Sequence, residues 1–130
     1  MSISTKIELI YPELSYQING CAFKIHNKLG YGHLEKVYQK ALKIEFEKEK
    51  FTFVDLKQLP VIYSDQKVST YVPDFLIEDK IVIDLKRSGR ITPEDYEQLK
   101  RYLRRTGYKL GLIIHFGSEG VISKRVLNLY

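Results

Sequence analysis
Two aspartates and a lysine stand where a β-hairpin would bring them together. Pro73-Asp74 opens an apolar run, Phe75-Leu76-Ile77; the charged break Glu78-Asp79-Lys80 follows; and Ile81-Val82-Ile83 leads into Asp84-Leu85-Lys86. Both runs are β-prone and the break reads as a turn. If they pair antiparallel about Asp79, position 75 lies opposite 83 and position 74 opposite 84, with Cβ atoms roughly 5 Å apart on one face. Lys86, two residues beyond Asp84, shares that face. Like charges opposed at the end of an apolar hairpin are destabilising, and a divalent cation between them would remove the cost. The plainer alternative makes Asp74 a strand-entry residue and Asp84–Lys86 a surface ion pair.

Other residues could join this site. Glu35, near the start of a helix, either favours the helix dipole or completes a three-carboxylate set suited to Mg²⁺ or Mn²⁺ rather than zinc. Gln98 and Tyr102 are four apart on the helix after the hairpin and share a face. Arg101 and Arg105 lie on or beside that face, and Tyr96, Leu99 and Leu103 point to the core. His26, between Ile25 and Leu29, reads first as a partly buried hydrogen-bonded residue and second as a metal ligand. Lys86, Arg87, Arg90, Lys100, Arg101, Arg104, Arg105 and Lys109 make the stretch after the hairpin basic, either a solvated face or a phosphate-binding surface.

The elements that must position these groups are legible in outline. Leu14, Ile18, Cys21, Ala22, Ile25 and Leu29 have helical spacing and predict a helix from about Pro12 to Leu29. Gly30-Tyr31-Gly32 breaks it. A second helix is expected from about His33 to Lys50, burying Leu34, Val37, Tyr38, Ala41, Leu42 and Phe46. Strands are expected near 53–58, 61–63, 68–72, 75–77 and 81–85, with a turn at Ser64–Lys67. Thr92-Pro93-Glu94-Asp95 is a helix start with a capping-box acid, and Gly107 stops that helix after Thr106. Leu110 to Phe116 is a continuous apolar run, expected as a central strand. Val121 to Leu129 fits a short strand or a helix. This order indicates an α/β sandwich around a mixed sheet.

At 130 residues one domain spanning 1–130 is expected, with a hydrophobic share of 44% that suits a folded core. Cys21 is the sole cysteine, which excludes a disulfide framework and a thiolate zinc site. No apolar run approaches the roughly 20 residues of a membrane span, and the first residues lack the apolar core of a signal peptide; a cytoplasmic protein without membrane contact is the expectation. The net charge of +5 favours polyanionic partners.

Asp74, Asp84-x-Lys86, Glu35 and Gln98-x-x-x-Tyr102 together resemble the PD-(D/E)xK nuclease superfamily, the Gln-x-x-x-Tyr element being similar to that of its RecB-type branch. Gly32-x-x-Glu35-x-x-Tyr38, preceded by His26-x-x-Leu29-Gly30, resembles the small GxxExxY family. The resemblance implies a restriction-endonuclease-like core, a mixed sheet of about four strands flanked by helices. It implies metal-dependent phosphodiester hydrolysis: Asp74 and Asp84, with the Leu85 carbonyl and Glu35, would hold Mg²⁺ or Mn²⁺, and His26 would be a secondary ligand. Lys86 would contact the attacking water or the scissile phosphate, Gln98 and Tyr102 would orient Lys86 and substrate, and Arg87, Arg90, Arg101 and Arg105 would hold flanking phosphates. The expected partner is nucleic acid, DNA first, cut without sequence specificity. A nucleic-acid-binding or adaptor protein that keeps the fold without turnover is the alternative. A homodimer, through an exposed edge strand near the C-terminus, or an unidentified protein partner would complete the substrate channel.

Overall fold
In the computed structural model, residues 10–55, 58–86 and 89–128 are described. Helix α1 spans Pro12–Leu29 and buries Ser15, Ile18, Cys21, Ala22 and Ile25, one stripe at helical spacing. Helix α2 spans Glu35–Lys48 and buries Tyr38, Leu42 and Phe46. It starts later than the apolar spacing suggests, and Leu34 (63% exposed) and Val37 (37% exposed) are not part of its buried stripe. Leu34 is the extended residue before the helix, so the helical period does not apply to it.

Five strands form the central sheet in the order β1 (Phe53–Asp55), β4 (Phe75–Ile77), β5 (Ile81–Lys86), β6 (Leu110–Gly117) and β7 (Gly120–Leu127). This is one strand more than the resemblance implies, because the C-terminal segment is strand β7. Among the described residues only β5 and β6 pair in parallel, and the chain crosses between them through helix α3 (Pro93–Thr106), as a parallel pair requires. The remaining hairpin, β2 (Leu59–Tyr63) with β3 (Gln66–Tyr71), forms a two-stranded sheet of its own. Its turn is Ser64 and Asp65, both at positive φ, so Gln66 and Lys67 belong to β3 rather than to the turn.

The sheet is covered on both faces. Ile81, Ile83, Leu85, Leu110, Leu112, Ile114 and Phe116 face the core built with α1 and α2. Leu76, Val82, Ile113 and Val126 face Leu99, Tyr102 and Leu103 of α3. This burial on both sides explains why β4, β5 and β6 read as unbroken apolar runs. Gly111 of β6 allows α3 to approach closely, since a Cβ there would meet Leu99 Cδ2 at 2.7 Å. Thr92 and Asp95 form the anticipated capping box, and Gly107, at φ 84°, ends the helix. Among the described residues no helix is long and apolar enough to cross a membrane.

Candidate active site
Phe75 stands opposite Ile83 in the β4–β5 ladder, and the Asp74 N–H donates to the Ile83 carbonyl at 3.0 Å. Asp74 and Asp84 are thus neighbours at the end of that ladder, as their spacing predicts. Each is held by a bond of its own. The Leu85 N–H donates to Asp74 Oδ2 at 2.7 Å, and the Tyr71 hydroxyl, at the end of β3, donates to Asp84 Oδ2. Both aspartates are half-buried and line a cavity of about 280 Å³, together with Glu35, Lys86, Asp95 and Gln98.

Glu35 reaches this cavity because it is the first residue of α2. The turn before it is anchored by Tyr38, whose hydroxyl donates to the Gly30 carbonyl at 2.8 Å and whose ring stacks on Phe116 with centroids 4.2 Å apart. Gly30 and Gly32 take the positive φ angles of 73° and 92° that this turn needs.

The acids sit in an environment that opposes their ionisation. Burial pushes the Asp74 carboxyl up to about 7; Glu35, within hydrogen-bonding reach, and the Asp84 charge push the same way, against the Leu85 N–H. Burial likewise raises Asp84 to about 6, aided by the charges of Glu35 and Asp95 and opposed by the bond from Tyr71. Tyr71 is driven above the usual phenol range by burial and by Asp84, and Tyr102 rises for the same two reasons; both remain hydrogen-bond donors.

Lys86 lies on the α3 face, two residues beyond Asp84, but its ion pair is with Asp95 (3.3 Å). Asp95 therefore has two tasks, capping α3 and holding Lys86. Although burial works against it, the Thr92 N–H and hydroxyl and the Lys86 ammonium keep its carboxyl below the usual range. The Lys86 backbone is also tied, its carbonyl lying 2.7 Å from Nδ1 of the buried His115.

The structure brings together Asp74, Asp84, Leu85, Glu35, Lys86 and Gln98 around one cavity. Tyr102 shares a second cavity with Gln98, Arg101 and Arg105 and is otherwise buried in the α3 core. His26 is not among the residues lining either cavity; its Nε2 lies 2.6 Å from the Gly117 carbonyl. Arg90 lines a different cavity, beside His115 and Gly117, and Arg87 falls outside the described residues. Three contributors were missed from sequence. Tyr71 and His115 carry no local signal, because each acts on a residue distant in the chain. Asp95 does carry one, but the capping motif accounts for it fully.

The donor chemistry fits a hard divalent cation: carboxyl oxygens from Asp74, Asp84 and Glu35, held half-buried in mutual repulsion that positive charge would relieve. It is not a finished cage, since among the described residues no three His, Cys, Asp or Glu side chains form a ready ligand set.

No curated protein matches the chain significantly. A crystal structure of the protein SSO0001 superposes with a TM-score of 0.53 at 16% identity, covering 95% of this chain. The chain spans only 60% of that protein, and the likeness concerns the fold alone. The profile of the PD-(D/E)XK nuclease superfamily matches residues 12–126, from the first residue of α1 to the last residue but one of β7. A mixed sheet with helices on both faces is consistent with this match, and the chain belongs to the PD-(D/E)XK nuclease superfamily.

Proposed function
We propose that this chain is a metal-dependent nuclease that hydrolyses phosphodiester bonds, with DNA as its first substrate and no intrinsic sequence preference, and that residues 1–130 act as one domain of the GxxExxY type. The observation that carries this reading is the cavity in which Asp74, Asp84, Glu35 and Lys86 meet.

Asp74, Asp84, the Leu85 carbonyl and Glu35 would hold Mg²⁺ or Mn²⁺. A divalent cation bound there supplies a water of lowered pKa and neutralises charge on the phosphoryl oxygen. Lys86, paired with Asp95 at 3.3 Å, turns its ammonium to the scissile phosphate and opposes the negative charge that builds during in-line attack. Gln98 lines the same cavity and orients the phosphate beside Lys86. Tyr71 holds Asp84 in place through its hydroxyl. Arg101 and Arg105, exposed on α3, take flanking phosphates. Such contacts position a nucleic acid without reading it.

The test is incubation of the protein with labelled single- and double-stranded DNA and RNA in Mg²⁺, Mn²⁺ or EDTA, beside Lys86→Ala. The expected result is cleavage that needs metal and falls by at least about 10²-fold in the variant, as when one stabilising donor is lost. Binding without cleavage under every condition would replace the hydrolase with the adaptor reading.

A further inference from the structure
Next to the acidic cavity is a second, of about 250 Å³. Its walls come from two elements that share no sheet: Ser69 and Thr70 of the β2–β3 hairpin on one side, and Gln98, Arg101 and Arg105 of α3 on the other. Tyr71 and Gln98 line both cavities and stand between them. The chemistry inverts across that partition. Among the described residues, the first cavity sets Glu35, Asp74, Asp84 and Asp95 against Lys86. Among the same residues the second has no carboxylate in its lining, only guanidinium, hydroxyl and carboxamide groups around two tyrosines and Val61.

Its floor contains an unanswered donor. Tyr102 is 3% exposed, and among the described residues its hydroxyl has no hydrogen-bond partner. Buried polar groups are nearly always paired, and an exception calls for an explanation. The Tyr102 ring lies against Tyr71, centroids 4.6 Å apart, and the Tyr71 hydroxyl donates to Asp84 Oδ2 instead. Arg101 is engaged by Glu94 at 2.8 Å, whereas Arg105 forms no ion pair among the described residues.

We propose that this second cavity seats one unpaired nucleotide adjoining the scissile linkage, so that the substrate is a single strand or the frayed end of a duplex. The inference rests on the phosphodiesterase reading above and names its substrate class. A cation-rich recess sharing a wall with the metal-binding acids is where the next phosphate of the same strand arrives. Arg105 takes that phosphate, and the Tyr102 hydroxyl and the Gln98 amide donate to acceptors of the nucleotide. The volume, about 250 Å³, is below the roughly 300–1,000 Å³ of drug-sized ligand sites, a size suited to one base. Bases stacked inside a duplex cannot enter such a recess unless they are first unstacked, whereas a single strand offers them freely, and aromatic residues beside cationic ones suit it.

The experiment measures binding in EDTA, where nothing is cut, by fluorescence anisotropy. Probes are a single-stranded DNA oligonucleotide, its RNA counterpart, and a blunt DNA duplex of the same sequence. Wild type is compared with Ser69→Trp, which fills the cavity from an exposed strand position, and with Tyr102→Phe; thermal melts followed by circular dichroism establish that each variant folds. Expected are at least tenfold tighter binding of a single strand than of the duplex, loss of that preference in Ser69→Trp, and weaker single-strand binding in Tyr102→Phe. The tighter of the DNA and RNA strands identifies the sugar. Equal affinity for duplex and single strands, or an unchanged preference in a folded Ser69→Trp, overturns the proposal. Metal-dependent cutting of duplex with no preference for single strands would remove this seat and leave the nuclease reading intact. A single-strand preference without cutting would leave the seat and remove the hydrolase.

Discussion

Two hairpins follow one another in this chain and have opposite fates. β4–β5 lies inside the central sheet, with every residue of Phe75–Ile77 and Ile81–Ile83 buried. β2–β3 forms a separate sheet, and Ile62, Tyr63 and Val68 are 48%, 74% and 61% exposed. Both are antiparallel and both turn through two consecutive residues at positive φ, Ser64–Asp65 in one and Glu78–Asp79 in the other, so turn chemistry does not separate them. Patterning does. A strand covered on both faces needs apolar residues at every position, whereas Gln66-Lys67-Val68-Ser69-Thr70-Tyr71 has too few apolar side chains for that. The buried hairpin fixes its carboxylates through a rigid ladder. The exposed one contributes Tyr71 from its far end.

The contrast breaks most visibly in stability. Ile83→Ala, at a fully buried site, is expected to cost about 2–5 kcal/mol in chemical denaturation, while Val68→Ala, 61% exposed, should stay within about 0.5 kcal/mol. Similar costs at the two sites would mean that the outlying hairpin belongs to the cooperative core.

A second effect comes from the buried acids. With Asp74 raised to about 7 and Asp84 to about 6, from an ordinary value of 3.8, the folded protein holds protons that the unfolded chain has released. This stabilisation is complete below the ordinary value and is lost as pH rises through about 6 and 7. In EDTA, melts should show stability falling from pH 5 to pH 8 by more than about 1.4 kcal/mol, the worth of one pKa unit. Asp84→Asn should flatten the fall; an identical slope in that variant would place the titration elsewhere.

The smallest effect sharpens the link between the two hairpins. Tyr71→Phe removes the bond from β3 to Asp84 and leaves the core ladder whole. Calorimetric titration with Mn²⁺ should show affinity about 10–100-fold weaker, the usual loss when the partner of a metal ligand is removed, with the melting temperature little changed. Unaltered affinity would show that the β4–β5 ladder alone positions Asp84.

The central hairpin, its register and the placement of Asp74 against Asp84 were legible because strand period and turn position determine them locally. Helix α3 was legible for a similar reason, its cap and its stop being written in adjacent residues. The isolation of β2–β3 was not, since its polar pattern excludes a place covered on both faces but equally suits an edge strand of the central sheet. Nor was the ion pair of Lys86 with Asp95, nine residues away across the loop into α3. Leu34 was misread because helical spacing was extended past the point where α2 begins, and Val37, inside the helix, falls at the exposed edge of its buried stripe. Tyr38 was expected as a buried residue of α2 and as part of a motif; its stacking on Phe116 and its bond to the Gly30 carbonyl show why a tyrosine suits that position.

Because β2 and β3 form a sheet of their own, mutation can work on that arm up to Tyr71 without disturbing the ladder that sets Asp74 against Asp84. Inheritance of the chemistry is thereby uncoupled from diversification of the target. Descendants of such a chain can lengthen, shorten or recharge the arm and acquire new preferences while the acids stay where they are, and an engineer can graft there for the same reason.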